Sequence, residues 1–229
     1  MSIRNNLIVG TAAFAVASVA SADFLGFDGV VSEVGDYTVI KMYAVYDQAD
    51  IALNVFGADV TTTDAQGFHH SDVQAGAGGT WSPTASLDIP GFADSNIDSF
   101  ANMGYGVGPD AAFNGTSLDP TFIDATGGLG PYVPAGAGWF NGNPANDIVA
   151  GAVEGVGDYA VWVGQFSFAT SRVEAAGALG FFVFDAEMGS KDANGDVFFG
   201  ADTYVWQIPA PGALALLGLG GFAARRRRA

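Results

Sequence analysis

Short apolar runs bounded by turn residues set the pattern of this chain, and the three-to-four-residue period of an amphipathic helix is missing from all but its two ends. Tyr37 to Tyr46 reads YTVIKMYAVY, rich in β-branched and aromatic residues, and Ile51 to Phe56 follows the short link Asp47-Gln-Ala-Asp50. Runs of this kind predict strands, and the short link predicts a hairpin. Tyr159 to Phe168 (YAVWVGQFSF) predicts another strand, with Trp162, Phe166 and Phe168 on one face and Tyr159, Val161 and Val163 on the other. Leu179–Phe184 and Val197–Trp206 predict a second pair joined through Glu187 to Asp196. Strands apolar on both faces belong inside stacked sheets. The expected fold is all-β: a single jelly-roll-like β-sandwich with long Gly/Asp-rich loops, flanked by an N-terminal signal helix and a C-terminal hydrophobic helix.

Between Gly57 and Asp158 the chain is rich in Gly, Asp and Asn, with strand-like fragments near Phe68, Ile97–Phe100 and Phe122. Gly104-Tyr-Gly-Val-Gly108-Pro109 and Gly127-Gly-Leu-Gly130-Pro131 are turn chemistry. Neither is a phosphate loop, since no Lys-Ser/Thr follows and no strand-then-helix context surrounds them. Trp81, Phe113, Tyr132, Trp139 and Phe140 argue that parts of this region are packed. Loops over a β scaffold are where binding would sit.

The ends read as addresses. Arg4 supplies a positive n-region, Leu7 to Val19 an apolar h-region, and Ala20-Ser21-Ala22 a small-x-small cleavage site before Asp23. No twin arginine is present, so export through the Sec machinery and signal peptidase is expected. At the other end, Ile208-Pro209-Ala210-Pro211 precedes an apolar stretch, Gly212 to Ala224, and then Arg225, Arg226, Arg227 and Arg228. Thirteen residues make a helix of only about 20 Å, short of the roughly 30 Å bilayer core. The arginine block is a stop signal of the positive-inside kind. Three segments are therefore expected: 1–22 signal peptide, 23–207 extracellular β domain, 208–229 sorting tail.

The order proline motif, short apolar helix, arginine cluster resembles the PEP-CTERM sorting signal of Gram-negative bacteria, in the form common among planctomycete-type bacteria. Ala210 stands where that family's pattern has Glu. The resemblance implies an exosortase-type membrane protease as partner, transient residence in the inner membrane through residues 212–224, removal of the tail, and a destination at the cell surface or in the extracellular matrix. Phe68-His69-His70-Ser71-Asp72, Gly79-Thr-Trp81-Ser-Pro83, Asp98-Ser-Phe100 and Gly138-Trp139-Phe140-Asn141-Gly-Asn143-Pro144 are similar to segments of an uncharacterised domain that recurs in such proteins. No activity comes with that second likeness.

Charge narrows the partners. Residues 23–207 keep three bases, Lys41, Arg172 and Lys191, against all 24 acids, a formal charge of −21. Such a body repels nucleic acid and anionic lipid surfaces. With no cysteine in the chain, disulfides, thiolate metal sites and a cysteine nucleophile are all excluded.

Few constellations suggest chemistry. His69 and His70 are the chain's two histidines. As strand neighbours they point to opposite faces, so they do not start a shared metal site; Asp72 could share the face of His70. Asp192, Asn194 and Asp196 match the opening of a calcium loop, with Asp185 and Glu187 near enough in sequence to contribute, but Val197 and Thr203 stand where an EF-hand wants Gly and Glu. Asn194-Gly195 is equally a hairpin turn. Trp81 and Trp139 are the candidate stacking platform for a polysaccharide, whereas Trp162 and Trp206 lie in apolar strands and are expected in the core. Asn114-Gly-Thr116 is a formal glycosylation sequon. No GxSxG elbow or Ser/His/Asp order stands out, and with 24 acids some pair falls at any glycosidase-like separation. No catalytic residue is expected. The reading is an exported protein with a non-catalytic structural role and no cofactor; the alternative is a calcium-assisted glycan-binding or adhesion module, and a secreted glycoside hydrolase comes third.

Overall fold

The structure, a computed structural model, describes residues 24–70, 81–83, 94–107, 114–122, 130–143, 145–175 and 181–207. In chain order the strands are β1 (Phe24–Val34), β2 (Tyr37–Tyr46), β3 (Ile51–Thr62), β4 (Phe100–Ala101), β5 (Thr116–Leu118), β6 (Ala137–Asn141), β7 (Ile148–Val149), β8 (Gly151–Val153), β9 (Gly157–Ala169), β10 (Phe181–Lys191) and β11 (Val197–Gln207). A short helix, α1 (Thr170–Ala175), and a 3-10 turn at Pro120–Phe122 complete the elements. The chain is all-β.

The first sheet has the order β1-β2-β9-β4, with β8 also on β9; the second runs β11-β10-β3-β6-β5, with β7 also on β3. Neighbours pair antiparallel throughout. Ile40, Met42 and Ala44 of β2, Phe166 and Phe168 of β9, and Phe182 and Phe184 of β10 are all fully buried in one cluster. The Phe27 ring of β1 lies 4.9 Å from Phe184, and Phe166 lies 5.3 and 5.8 Å from Phe182 and Phe184. Side chains of both sheets therefore share one core, each buried Phe contributing about 1.5–3 kcal/mol of transfer free energy.

The sheets also meet at one edge. The amide of Phe27 beside the bulge at Gly26 donates to Asp202 Oδ2 of β11 at 2.8 Å. Gly29 leaves room for the ring of Tyr204, and Gly200 for that of Phe24. Burial there, with Asp28 nearby, pushes the Tyr204 hydroxyl up to about 12.

Two strand expectations are corrected. β2 and β3 are not a hairpin: β2 lies between β1 and β9, while β3 lies between β10 and β6. Asp47–Asp50 is a corner between sheets, closed by Asp50 N donating to Gln48 O and by Ala150 N donating to Asp50 O, each at 2.8 Å. β2 pairs instead with β1 and β9, and β3 with β10, β6 and β7. In β9 the register slips beside Gly164, so that Met42 faces Gly164 and Tyr43 faces Trp162. The bulge swaps the faces, placing Val161 and Val163 in the same core as Phe166 and Phe168 while turning Trp162 outward. The expected β10–β11 pair is present and longer than its apolar run suggests, reaching Lys191↔Val197 around a loop at Asp192–Asp196. Phe100 does fall in a strand, and Phe122 closes the 3-10 turn.

Candidate functional site

The outer side of the first sheet gathers a group of buried polar side chains: Ser95, Asp98, Ser99, Asn102, Gln165 and Ser167. The outer side of β9 is covered by residues 95–98 over Gln165 and Ser167, while β4 and His69 run beside the strand as its edge neighbours. His69 N donates to Ser167 O at 2.7 Å and Ser99 N donates to His69 O at 2.9 Å, which clamps both segments to the strand. Gln165 Nε2 donates to the carbonyls of Ser95 and Asp98 at 2.8 and 2.7 Å. Ser167 Oγ donates to Ile97 O, and Ser99 Oγ accepts from Ser167 N. A Gln and a Ser at alternate positions of an otherwise apolar strand are the sequence signal for such a cover, since buried side-chain donors need backbone partners.

A second layer joins the cover to the other sheet. Asn102 Nδ2 donates to Tyr105 O, and its Oδ1 accepts from Asn114 Nδ2, at 2.9 and 3.0 Å. Thr116 Oγ1 accepts from Met103 N, and Tyr105 donates its hydroxyl to Asn141 Oδ1. Asn114, the sequon asparagine, is thus a buried donor within the fold.

The two histidines point apart, as adjacent residues of an extended segment should. His70 stacks on Trp81 with rings 4.5 Å apart and 7° from parallel, and its Nδ1–H donates to Ser99 O at 2.9 Å. His69 lies on Tyr37, 4.4 Å between ring centres, beside Arg172 and Asp94. Arg172 Nε in turn donates to Asp64 Oδ2 at 2.6 Å, and the Asp64 side chain is 1% exposed. Burial is the main cause lowering the His69 pKa; the neighbouring His70 and Arg172 add to it and Asp94 opposes it. The neutral imidazole is the form the fold favours. Stability linked to His69 is therefore fully present above its unfolded value, about 6.5, and is lost as pH falls through the lower folded value. The melting temperature is expected to fall between about pH 7.5 and 5, and His69→Gln to flatten that dependence; an unchanged slope in the variant would remove His69 as its cause.

The remaining sequence-derived candidates separate. Trp81 and Trp139 are each 1% exposed, which corrects the stacking-platform expectation. Trp81 lies between His70 and the Phe68–Phe166 rings, and Trp139 between Phe122 and Phe184, its Nε1 donating to Asn102 O and Val163 O. No ring face is left for a sugar. Conversely Trp162, expected in the core, is half-buried on the outer face with Lys41 Nζ 4.9 Å above its ring, and burial lowers the Lys41 pKa. Trp206 is partly buried against the core, 5.9 Å from Phe168.

Asp192, Asn194 and Asp196 lie together in the exposed β10–β11 loop. Asp192 Oδ1 accepts from the amides of Asn194 and Asp196, both at 2.8 Å, and Oδ2 from Asn194 Nδ2 at 2.9 Å. These bonds, that from the Asn194 side chain foremost, hold the Asp192 carboxyl below its usual range. Gly195 adopts φ +90°, the left-handed conformation this turn requires. Asp192 thus spends both oxygens closing the turn. Asp185 accepts from Thr203 Oγ1 one strand pair away. Among the described residues no group of three or more His, Asp or Glu is placed to hold a metal ion. Asp72 and the address residues Ala20, Ala22, Asp23, Pro209, Ala210, Pro211 and Arg225–Arg228 lie outside the described residues. Comparison with family models, curated proteins and solved structures finds no match for this chain.

Proposed function

We propose that this is an exported cell-surface or extracellular-matrix protein whose body, a β-sandwich, has a structural and non-catalytic role. Its two ends act as addresses: Ala20-Ser21-Ala22 for signal peptidase after Sec export, and residues 208–229 for an exosortase-type protease in the inner membrane. The observation that carries the reading is the tail, in which a proline motif, an apolar run too short for a comfortable span and four arginines follow one another without interruption. The body is consistent with it. Buried polar side chains hold segments 68–70 and 94–102 to β9, its two inner indoles are core, and its acidic composition suits a protein that stays soluble outside the cell.

Intact and peptide mass spectrometry of the protein from its own cells, with membrane and released fractions separated, tests this. A mature start at Asp23 and an end near Pro209–Pro211 are expected. Retention of Arg225–Arg228 in the mature protein would overturn the exosortase step and leave a membrane-anchored β domain.

A further inference from the structure

The outer face of the second sheet is apolar at one end and acidic around it. Val197 and Phe199 of β11, Phe140 of β6 and Val149 of β7 are 56, 61, 43 and 53% exposed. The register brings them together: Phe199 faces Gly189, Gly189 faces Asn54 and Asn54 faces Phe140, while Val197, Lys191, Ile51 and Val149 form the next row. Phe56 meets Phe199 edge to face at 5.8 Å. Over Gly189, between the two phenylalanines, lie the Asn54 amide and the edge of the Phe199 ring. Around it stand Asp147, Glu187, Asp192 and Asp196, and Lys191, the one cation of this face among the described residues, is engaged by Asp147 at 2.9 Å.

Area and charge together say what such a face would hold. With strands about 4.8 Å apart and about 3.4 Å per residue, the apolar patch covers roughly 20 Å by 20 Å, side-chain radii included. That is about half of the roughly 800 Å² per partner that a stable protein interface takes, so a second copy seated here is undersized, and its own acids would oppose it. One short segment, apolar and then cationic, matches both terms. This chain contains such a segment: Gly212 to Ala224 carries Leu214, Leu216, Leu217, Leu219 and Phe222 without a charge, and Arg225 to Arg228 follow.

Reach allows it. Val197 lies ten residues, roughly 33 Å, along β11 from Gln207. The seventeen residues from Ile208 to Ala224 span about 26 Å if fully helical and about 56 Å if fully extended. Arg225 can therefore arrive beside Asp192 and Asp196 with the leucines over Phe199 and Phe140.

We propose that in the unprocessed chain residues 212–228 dock on this face of their own molecule, covering the apolar patch and placing the arginines against Asp147, Asp192 and Asp196. The body then shields its own tail until a membrane competes for it, and removal of the tail would uncover the patch. The docking concerns the chain before any cleavage, so its failure and the failure of the sorting reading are separate results.

Because the chain has no cysteine, engineered pairs report proximity without background. Phe199→Cys with Leu217→Cys, in the full chain expressed without an exosortase, is expected to form an intramolecular disulfide at least about tenfold faster than Ser32→Cys with Leu217→Cys, whose partner lies on the other sheet. Replacing Arg225–Arg228 with serine, or raising salt to about 1 M, is expected to slow the first pair towards the second. Equal rates for the two pairs, disulfide-linked dimers in place of monomers, or indifference to the arginine replacement would each overturn the proposal.

Discussion

Trp139→Ala is expected to cost about 4 kcal/mol, in the range for removing a buried Trp, and to lower the melting temperature by roughly 8–16 °C for a body of this size. Three losses coincide there. The indole fills the space between Phe122 and Phe184, and its Nε1–H is shared by Asn102 O and Val163 O at 3.0 and 2.9 Å. Both carbonyls would be left buried when it goes. Asn102 also anchors the layer that joins the 94–102 cover to β5, so loosening it frees the outer side of β9 as well. Phe140→Ala, one residue on and pointing out of the sheet, is expected to cost under about 1 kcal/mol. Urea denaturation of the two variants measures the contrast. Comparable costs at the two positions would mean that β6 does not present its faces as described, and a folded Trp139→Ala with native stability would return the indole to the list of surface platforms.

The pattern of the sequence was most informative where local chemistry decides the structure. Asn194-Gly195 between two apolar runs announces the β10–β11 hairpin, but not its register: the turn runs through Ala193-Asn194 with Gly195 at φ +90°, so that Lys191 pairs with Val197. The divergence of His69 and His70 matches the alternation expected of an extended segment, although residues 68–70 form no strand of their own. Asp47–Asp50 carried no such information, since a short polar link serves equally as a hairpin turn or as a corner between sheets. β2 does pair with its chain neighbour β1, but its other partner β9 and the β10 partner of β3 lie more than a hundred residues away, beyond the reach of any local rule. The bulge at Gly164 inverted the assignment of Trp162 in the same way: an uninterrupted period of two keeps it with Phe166, whereas one extra residue turns it to the outside. The two tryptophans in Gly-rich segments looked exposed because loops usually are. In this chain the backbone of Trp81 is hydrogen-bonded to β4 and Trp139 is itself a strand residue of β6, so both rings reach the core; Gln165 and Ser167, polar residues in a strand whose neighbours are apolar, signal only the 95–99 segment that covers them.

Arg172→Ala is expected to destabilise the body by about 2–3 kcal/mol. Breaking a buried ion pair from one side typically costs about 3–5 kcal/mol because the other charge stays behind, and the 34% exposure of the Arg172 side chain places this pair at or below the low end through solvent screening. The charge left behind is that of Asp64, whose other oxygen accepts from Gln66 N at 2.9 Å and cannot turn to water without opening the Asp64–Gly67 turn. That turn leads directly into Phe68 and the two histidines. Asp64→Asn in the Arg172→Ala background is expected to recover part of the loss, since a neutral amide is cheaper to bury than a lone carboxylate, so the double-mutant cycle should show a coupling of about 1–3 kcal/mol. A second readout follows the charge and not the fold: Arg172 lowers the His69 pKa, so its removal should move the imidazole titration, followed by NMR, upward. A cycle that closes at zero together with an unmoved His69 titration would dissolve the corner into unrelated surface charges. The expected result makes Arg172, one of three bases in an acidic body, the residue that fixes α1 to the turn carrying the 68–70 cover.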